Sequence, residues 1–330
     1  MDSGEVDATV IGGEESYKTT RRSAMRNLFI LCLCYFLVGT GSWALSNIQS
    51  SMNTDATLRS CSQLATYASA MISALLLPKW SIQKIGCKTV LTISFLASFV
   101  QTLSNISVCP ETTMLASLIF GLTRGPHAVA QSLYIKEMAV RFQEATCKNL
   151  DTTLGLFFGI FVLSVEISRV CGSLISCFVL KIKTDISEGH NISVNFTCGV
   201  EFLFEAPENE RNINLIPSST SERILLIAVL SAMSLFAVLL AQFLLEPIER
   251  QYEKKSDGCI VCDSLKNNLR RLKDVDQLLL IPFSVILGLL SSFFSYDVTE
   301  VSEPMLLLPT ITVNVTILLR KPQTILNCGS

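Results

Sequence analysis

Seven apolar runs, each long enough to cross a bilayer at about twenty residues, leave this chain one class of structure. They cover residues 28–48, 64–80, 89–108, 115–135, 154–180, 224–245 and 278–295. Hydrocarbon offers the backbone no hydrogen-bond partner, so consecutive runs of this length fold as helices whose N–H and C=O groups pair internally. An eighth stretch, 305–319, is short, contains Pro309 and carries Thr310, Thr312, Asn314 and Thr316, so it is not read as a span. The charged fraction is 16% and the mean hydropathy is +0.47, where a soluble surface needs about a quarter of residues charged. A soluble two-domain enzyme is excluded, and the fold class expected is an all-α, polytopic membrane protein.

The same composition removes other functions. A net charge of −2 gives no basic field for nucleic acid. His127 and His190 are the only histidines, too few for a multi-histidine metal site. No cofactor is expected. Of twelve cysteines, Cys32, Cys34, Cys171 and Cys177 lie in apolar runs, where a thiol acts as a small hydrophobe. Cys259 and Cys262 form a single CxxC with no second pair beside it. The first run starts only at Leu28, behind Glu14 and Glu15, and is too long for the core of a signal peptide.

Cations orient the chain. Seventeen lysines and arginines fall in the segment before the first run and in alternate connections after it, against five in the intervening connections. This asymmetry places the N-terminus in the cytoplasm of an integral, multi-pass protein of the plasma membrane or an endomembrane. The long loop 181–223 is then lumenal or extracellular. It carries two glycosylation sequons, at Asn191 and Asn195, and Cys198, which could bridge to Cys61 or Cys109. The boundaries expected are a cytoplasmic tail at 1–27 with a disordered acidic start, a six-helix unit at 28–245, and a cytoplasmic linker at 246–276. A seventh helix at 277–295 and a divergent tail at 296–330 complete the chain. The linker's Arg270, Arg271 and Lys273 are candidates for binding anionic lipid.

The connection between the second and third runs reads Lys84-Ile-Gly86-Cys-Lys88. It resembles the cytoplasmic signature of the major facilitator superfamily, a glycine turn flanked by cations, with Gln83 where an acidic residue is usual. Further segments narrow the likeness: Ser46-Asn47 through Asn53, Pro126 through Tyr134, Phe157-Phe158-Gly159-Ile160-Phe161, Gly172 through Ser176, Glu246-Pro247-Ile248, Pro282 with Gly288, and Asp297-Val-Thr299. Together they resemble the uncoordinated-93 family of that superfamily from about Arg26 to Thr299, departing at Ala128, where tryptophan is common. The resemblance implies a six-helix major-facilitator half-bundle plus a seventh helix, truncated where five more spans would follow. It also implies a non-enzymatic accessory protein, either a regulator of a potassium channel or an escort of membrane receptors. The alternative is a secondary transporter of a small solute, or an inactive fragment of one. Candidate partners are membrane lipid, a potassium channel subunit, a membrane receptor and a second copy of the chain.

Charges inside the runs are the candidate site. Arg124 lies mid-run, and His127 and Gln131 follow on the same helical face. Glu166 and Arg169 share a face of the fifth run. These five residues either line a polar cavity for a solute, ion or partner helix, or Arg124, Glu166 and Arg169 form a network that locks two helices together. Gly39 and Gly41 are expected to pack helices closely. Tyr35, Trp43 and Trp80 are expected to serve as packing or interfacial aromatics.

Overall fold

The computed structural model describes residues 4–52, 56–106, 109–146, 148–187, 220–248, 270 and 275–295. Its elements among these residues are all helices: α1 (Gly4–Met52), α2 (Ala56–Leu76), α3 (Pro78–Lys84), α4 (Cys87–Leu103), α5 (Pro110–Thr146), α6 (Leu150–Ser187), α7 (Thr220–Leu244) and α8 (Val275–Ser295). Asn191, Asn195, Cys198, the CxxC, the basic cluster at Arg271 and Lys273, and the tail from 296 lie outside them. Three helices are long and apolar enough to cross a membrane, at Thr19–Ser46, Leu150–Ser176 and Ile224–Leu244. A bent pair, Cys61–Leu76 with Pro78–Lys84, makes up to four. The protein is an all-α membrane protein.

The helices depart from the runs in three places. The expected disordered start of the tail gives way to helix, because α1 is continuous from Gly4 and no proline interrupts it. The second run is not one rod, since the chain bends by 65° between α2 and α3. Pro78 cannot donate to the carbonyl a turn earlier, and its ring disfavours helical backbone at Leu77. The fourth run sits within a 37-residue helix, α5, long enough to span but made less apolar by Arg124, Pro126, His127 and Gln131.

Packing centres on α1 and α5. Helix α1 lies against α6 and α7, α5 lies against α2 and α4, and α4 also meets α7. The larger core cluster joins Leu28 and Leu31 of α1, Leu91 and Phe95 of α4, Tyr134, Ile135 and Met138 of α5, and Phe157 of α6, all fully buried. A smaller cluster at the other end joins Ala44 and Leu45 to Ile227 and Leu230. Outward faces of α2, α6 and α7 expose Leu64, Met71, Leu156, Leu225, Phe236 and Phe243, as suits a bundle whose solvent is lipid.

Small residues bring the helices together. On α2 and α5, a Cβ on Gly121 would lie 2.3 Å from the Thr66 carbonyl oxygen, and one on Gly125 would lie 2.5 Å from the Ala74 backbone. Ser73 Oγ donates to the Gly121 carbonyl at 3.3 Å, and the Gly125 N–H donates to Ser73 Oγ at 3.3 Å. Such a seam of glycines and hydroxyls is the means by which helices associate where burial of apolar surface gives no net gain.

Candidate functional site

Four helices meet at Tyr35 and His127. The Tyr35 hydroxyl of α1 and Nε2 of His127 on α5 lie 2.8 Å apart, the tautomer deciding which one donates. Phe95 of α4 stands edge-on to Tyr35 at 5.3 Å and to His127 at 5.6 Å, and Phe161 of α6 stands edge-on to Tyr35 at 4.8 Å. Nδ1 of His127 is buried without a partner, which costs about 1–3 kcal/mol. Pro126 next to it leaves the carbonyl a turn earlier without its helical donor. Tyr35, expected to be a packing aromatic, is therefore also the polar partner of the candidate His127.

Glu166 and Arg169 form the second constellation. Nη1 of Arg169 donates to both carboxylate oxygens of Glu166, at 3.0 and 3.2 Å, across one turn of α6. The guanidinium also lies 5.0 Å from the ring of Trp43 on α1, a cation–π contact that gains strength as water is removed. Close approach of α1 and α6 makes this possible. A Cβ on Gly172 would meet Trp43 Cβ at 2.8 Å, and one on Gly39 would meet Ser168 Oγ at 2.4 Å. Arg124 does not join the pair. It stands exposed on α5 with its guanidinium 4.9 Å from the ring of Phe120 in its own helix. The expected three-residue network resolves into the Glu166–Arg169 pair and a separate cation. Gln131 is half-buried two turns further along.

The turn signature lies between α3 and α4. Gly86 has φ 86° and ψ 153°, a left-handed value that strains any residue with a Cβ. Lys84 is exposed and Lys88 half-buried beside it.

A third polar group, centred on Glu246, gathers where α7 ends, among residues at the cation-rich end of the bundle. Its carboxylate accepts from Ser23 Oγ at 2.9 and 3.0 Å and pairs with Arg26, both on α1. Its main-chain carbonyl accepts from the Tyr134 hydroxyl at 2.9 Å. Burial is the largest single influence on the carboxyl and pushes it up. Hydrogen bonds from Asn27 and Ser23 and the charges of Arg26 and Arg141 together outweigh it, holding Glu246 below the usual carboxylate range. Sequence alone marked Glu246 only as part of a motif. The available signal was its depth, since an acid closing one run faces cations that open another at the same membrane surface.

Comparison with known proteins places this arrangement. The model of the ion channel regulatory protein UNC-93 family matches residues 58–298. The chain belongs to the UNC-93 family. It is 25% identical over 288 residues to the Caenorhabditis elegans protein unc-93, named as a potassium channel regulatory protein, covering 85% of this chain and 40% of that one. It is 26% identical over 281 residues to Xenopus laevis unc-93 homolog A, covering 84% and 60%. For the human homolog A the values are 25% over 280 residues, 84% and 61%. This UNC-93 family chain thus spans between 40% and 61% of these relatives' length.

Proposed function

We propose that this chain acts as a non-enzymatic accessory subunit of a potassium channel, seated in the membrane as a multi-pass bundle with its N-terminus in the cytoplasm. The observation that carries this function is the match to an ion channel regulatory family over residues 58–298. The geometry supports it. Glu166 and Arg169 neutralise each other against Trp43, and His127 is held by Tyr35 among aromatic rings. Three of the five intramembrane candidates are thus engaged in holding helices together. What the bundle offers a second molecule is its outer surface, the way an accessory subunit acts. The cation asymmetry supports the orientation, with loop 181–223 and its sequons at Asn191 and Asn195 outside the cytoplasm.

The test is electrical. A potassium channel is expressed in oocytes with and without this chain, and whole-cell current is recorded. Co-expression is expected to change the current amplitude or its voltage dependence, and deletion of residues 278–330 is expected to abolish the change. Unchanged current together with saturable, gradient-driven solute uptake by the purified chain in liposomes would overturn the accessory role in favour of a transporter.

A further inference from the structure

Within the seven apolar runs the charge count does not close. The seven apolar runs contain a single acidic residue, Glu166, and two arginines away from their ends, Arg124 and Arg169. Glu166 is buried and held by Arg169. Among the described residues, the contact that Arg124 makes is with the face of Phe120 in its own helix. Its depth follows from the other end of the same helix. Tyr134 bonds the carbonyl of Glu246, just past the end of α7, so it lies near the membrane surface. Arg124 stands ten residues away along α5, which is about 15 Å, or half of a hydrocarbon core about 30 Å thick. A cation at mid-depth is costly in hydrocarbon, where it pairs with an opposite charge or a backbone carbonyl or faces water.

From this geometry we infer that the Arg124 face of α5 docks a transmembrane helix of a partner protein that carries an aspartate or glutamate at mid-bilayer. Ala128 is exposed one turn from Arg124, and half-buried Gln131 follows on the same face. The small side chain lets a second helix come close, and the amide offers it a further hydrogen bond. The seven runs of a second copy would offer only the buried Glu166, so the occupant is taken to be a different protein. The inference rests on the accessory function proposed above and specifies the chemistry of the partner. Its test does not use channel current, so either can fail without the other.

The probe is a single-span polyleucine helix with one central aspartate, co-expressed with the full chain and read by energy transfer between fluorescent fusions in the membrane. The aspartate helix is expected to associate about five- to thirty-fold more strongly than an all-leucine helix, the range for an interhelical polar contact worth 1–2 kcal/mol. Arg124→Gln should bring it down to the all-leucine level. Arg124→Glu should transfer the preference to a helix with a central lysine, and that gain of binding cannot come from misfolding. Equal association of the aspartate and leucine helices, or an aspartate preference that survives Arg124→Gln, would overturn the inference. So would saturable binding of succinate to the purified chain, lost in Arg124→Gln, with no preference among the helices. In that case a solute anion would be the occupant.

Discussion

Helices α5 and α6 carry the same two devices in opposite states. Each has a pair of glycines four residues apart, Gly121 with Gly125 and Gly155 with Gly159, and each has an arginine away from its ends. On α5 the glycines are filled by α2, while Arg124 has no carboxylate. On α6 Arg169 has its carboxylate and its aromatic ring, while a Cβ on Gly155 or Gly159 would meet nothing within 4 Å. Spacing along a helix therefore says that a device is present, not whether the chain itself has used it. That depends on how the helix is rotated against its neighbours.

The largest expected effect tests the arginines. Glu166→Gln leaves Arg169, whose side chain is a third exposed, without its carboxylate. The loss approaches about 3 kcal/mol, the low end for a broken buried pair, and should lower the yield of monodisperse protein on size exclusion in detergent. The double variant Glu166→Gln with Arg169→Gln should recover part of that loss. Arg124→Gln should leave the yield unchanged. If all three single and double variants fall equally, the two arginines are not in different states and the comparison fails.

The glycines give the next largest difference. Gly125→Ala drives a methyl group into the backbone of α2 at Ala74, and overpacking of this kind costs about 1–3 kcal/mol. Gly159→Ala enters open space and should be neutral or stabilising by up to about 1 kcal/mol, through helix propensity. Thermal unfolding in detergent, followed by loss of the monodisperse peak, should separate the two. Equal midpoints would show that the α2–α5 seam is no tighter than the open face of α6.

The smallest effect lies at the Glu246 clasp, which sharpens the contrast between membrane interior and membrane surface. A carboxyl held below its ordinary range stabilises the fold at neutral pH, and that contribution is lost as pH falls through its folded value. The side chain is about a third exposed, so solvent screening keeps the effect small. Melting temperature should decline on acidification less steeply in Glu246→Gln than in the parent. Parallel pH profiles would remove Glu246 from any part in holding α7 to α1.

Much of this was open to inspection in the sequence. Six apolar runs became helices directly, because run length in hydrocarbon translates into helix with little choice. The Glu166–Arg169 pair could be read because three residues on a helix is a fixed distance. Pro78 carried the signal for the break between α2 and α3, which a reading of 64–80 as one run passes over. What one dimension could not supply was the meeting of Tyr35 with His127, ninety-two residues apart, or the turning of Arg124 away from Glu166. Both depend on the rotation of α5 about its own axis. Gly121 and Gly125 set that rotation by admitting α2 on one side of α5 only. A buried histidine does announce that it needs a partner, but the runs hold many polar groups able to answer, and only the fold selects Tyr35.

The bond from Tyr134 to Glu246 falls on a main-chain oxygen, which every amino acid has. Mutation can delete the carboxylate that holds Arg26, yet no substitution at 246 removes the acceptor that Tyr134 grips. The start of the linker is thus moored twice, once by chemistry that varies with the residue and once by chemistry that does not. A pull transmitted along residues 246–276 would reach α5 through the second mooring whatever side chain occupied position 246. Its point of failure is Tyr134, on a different helix from the chain it restrains.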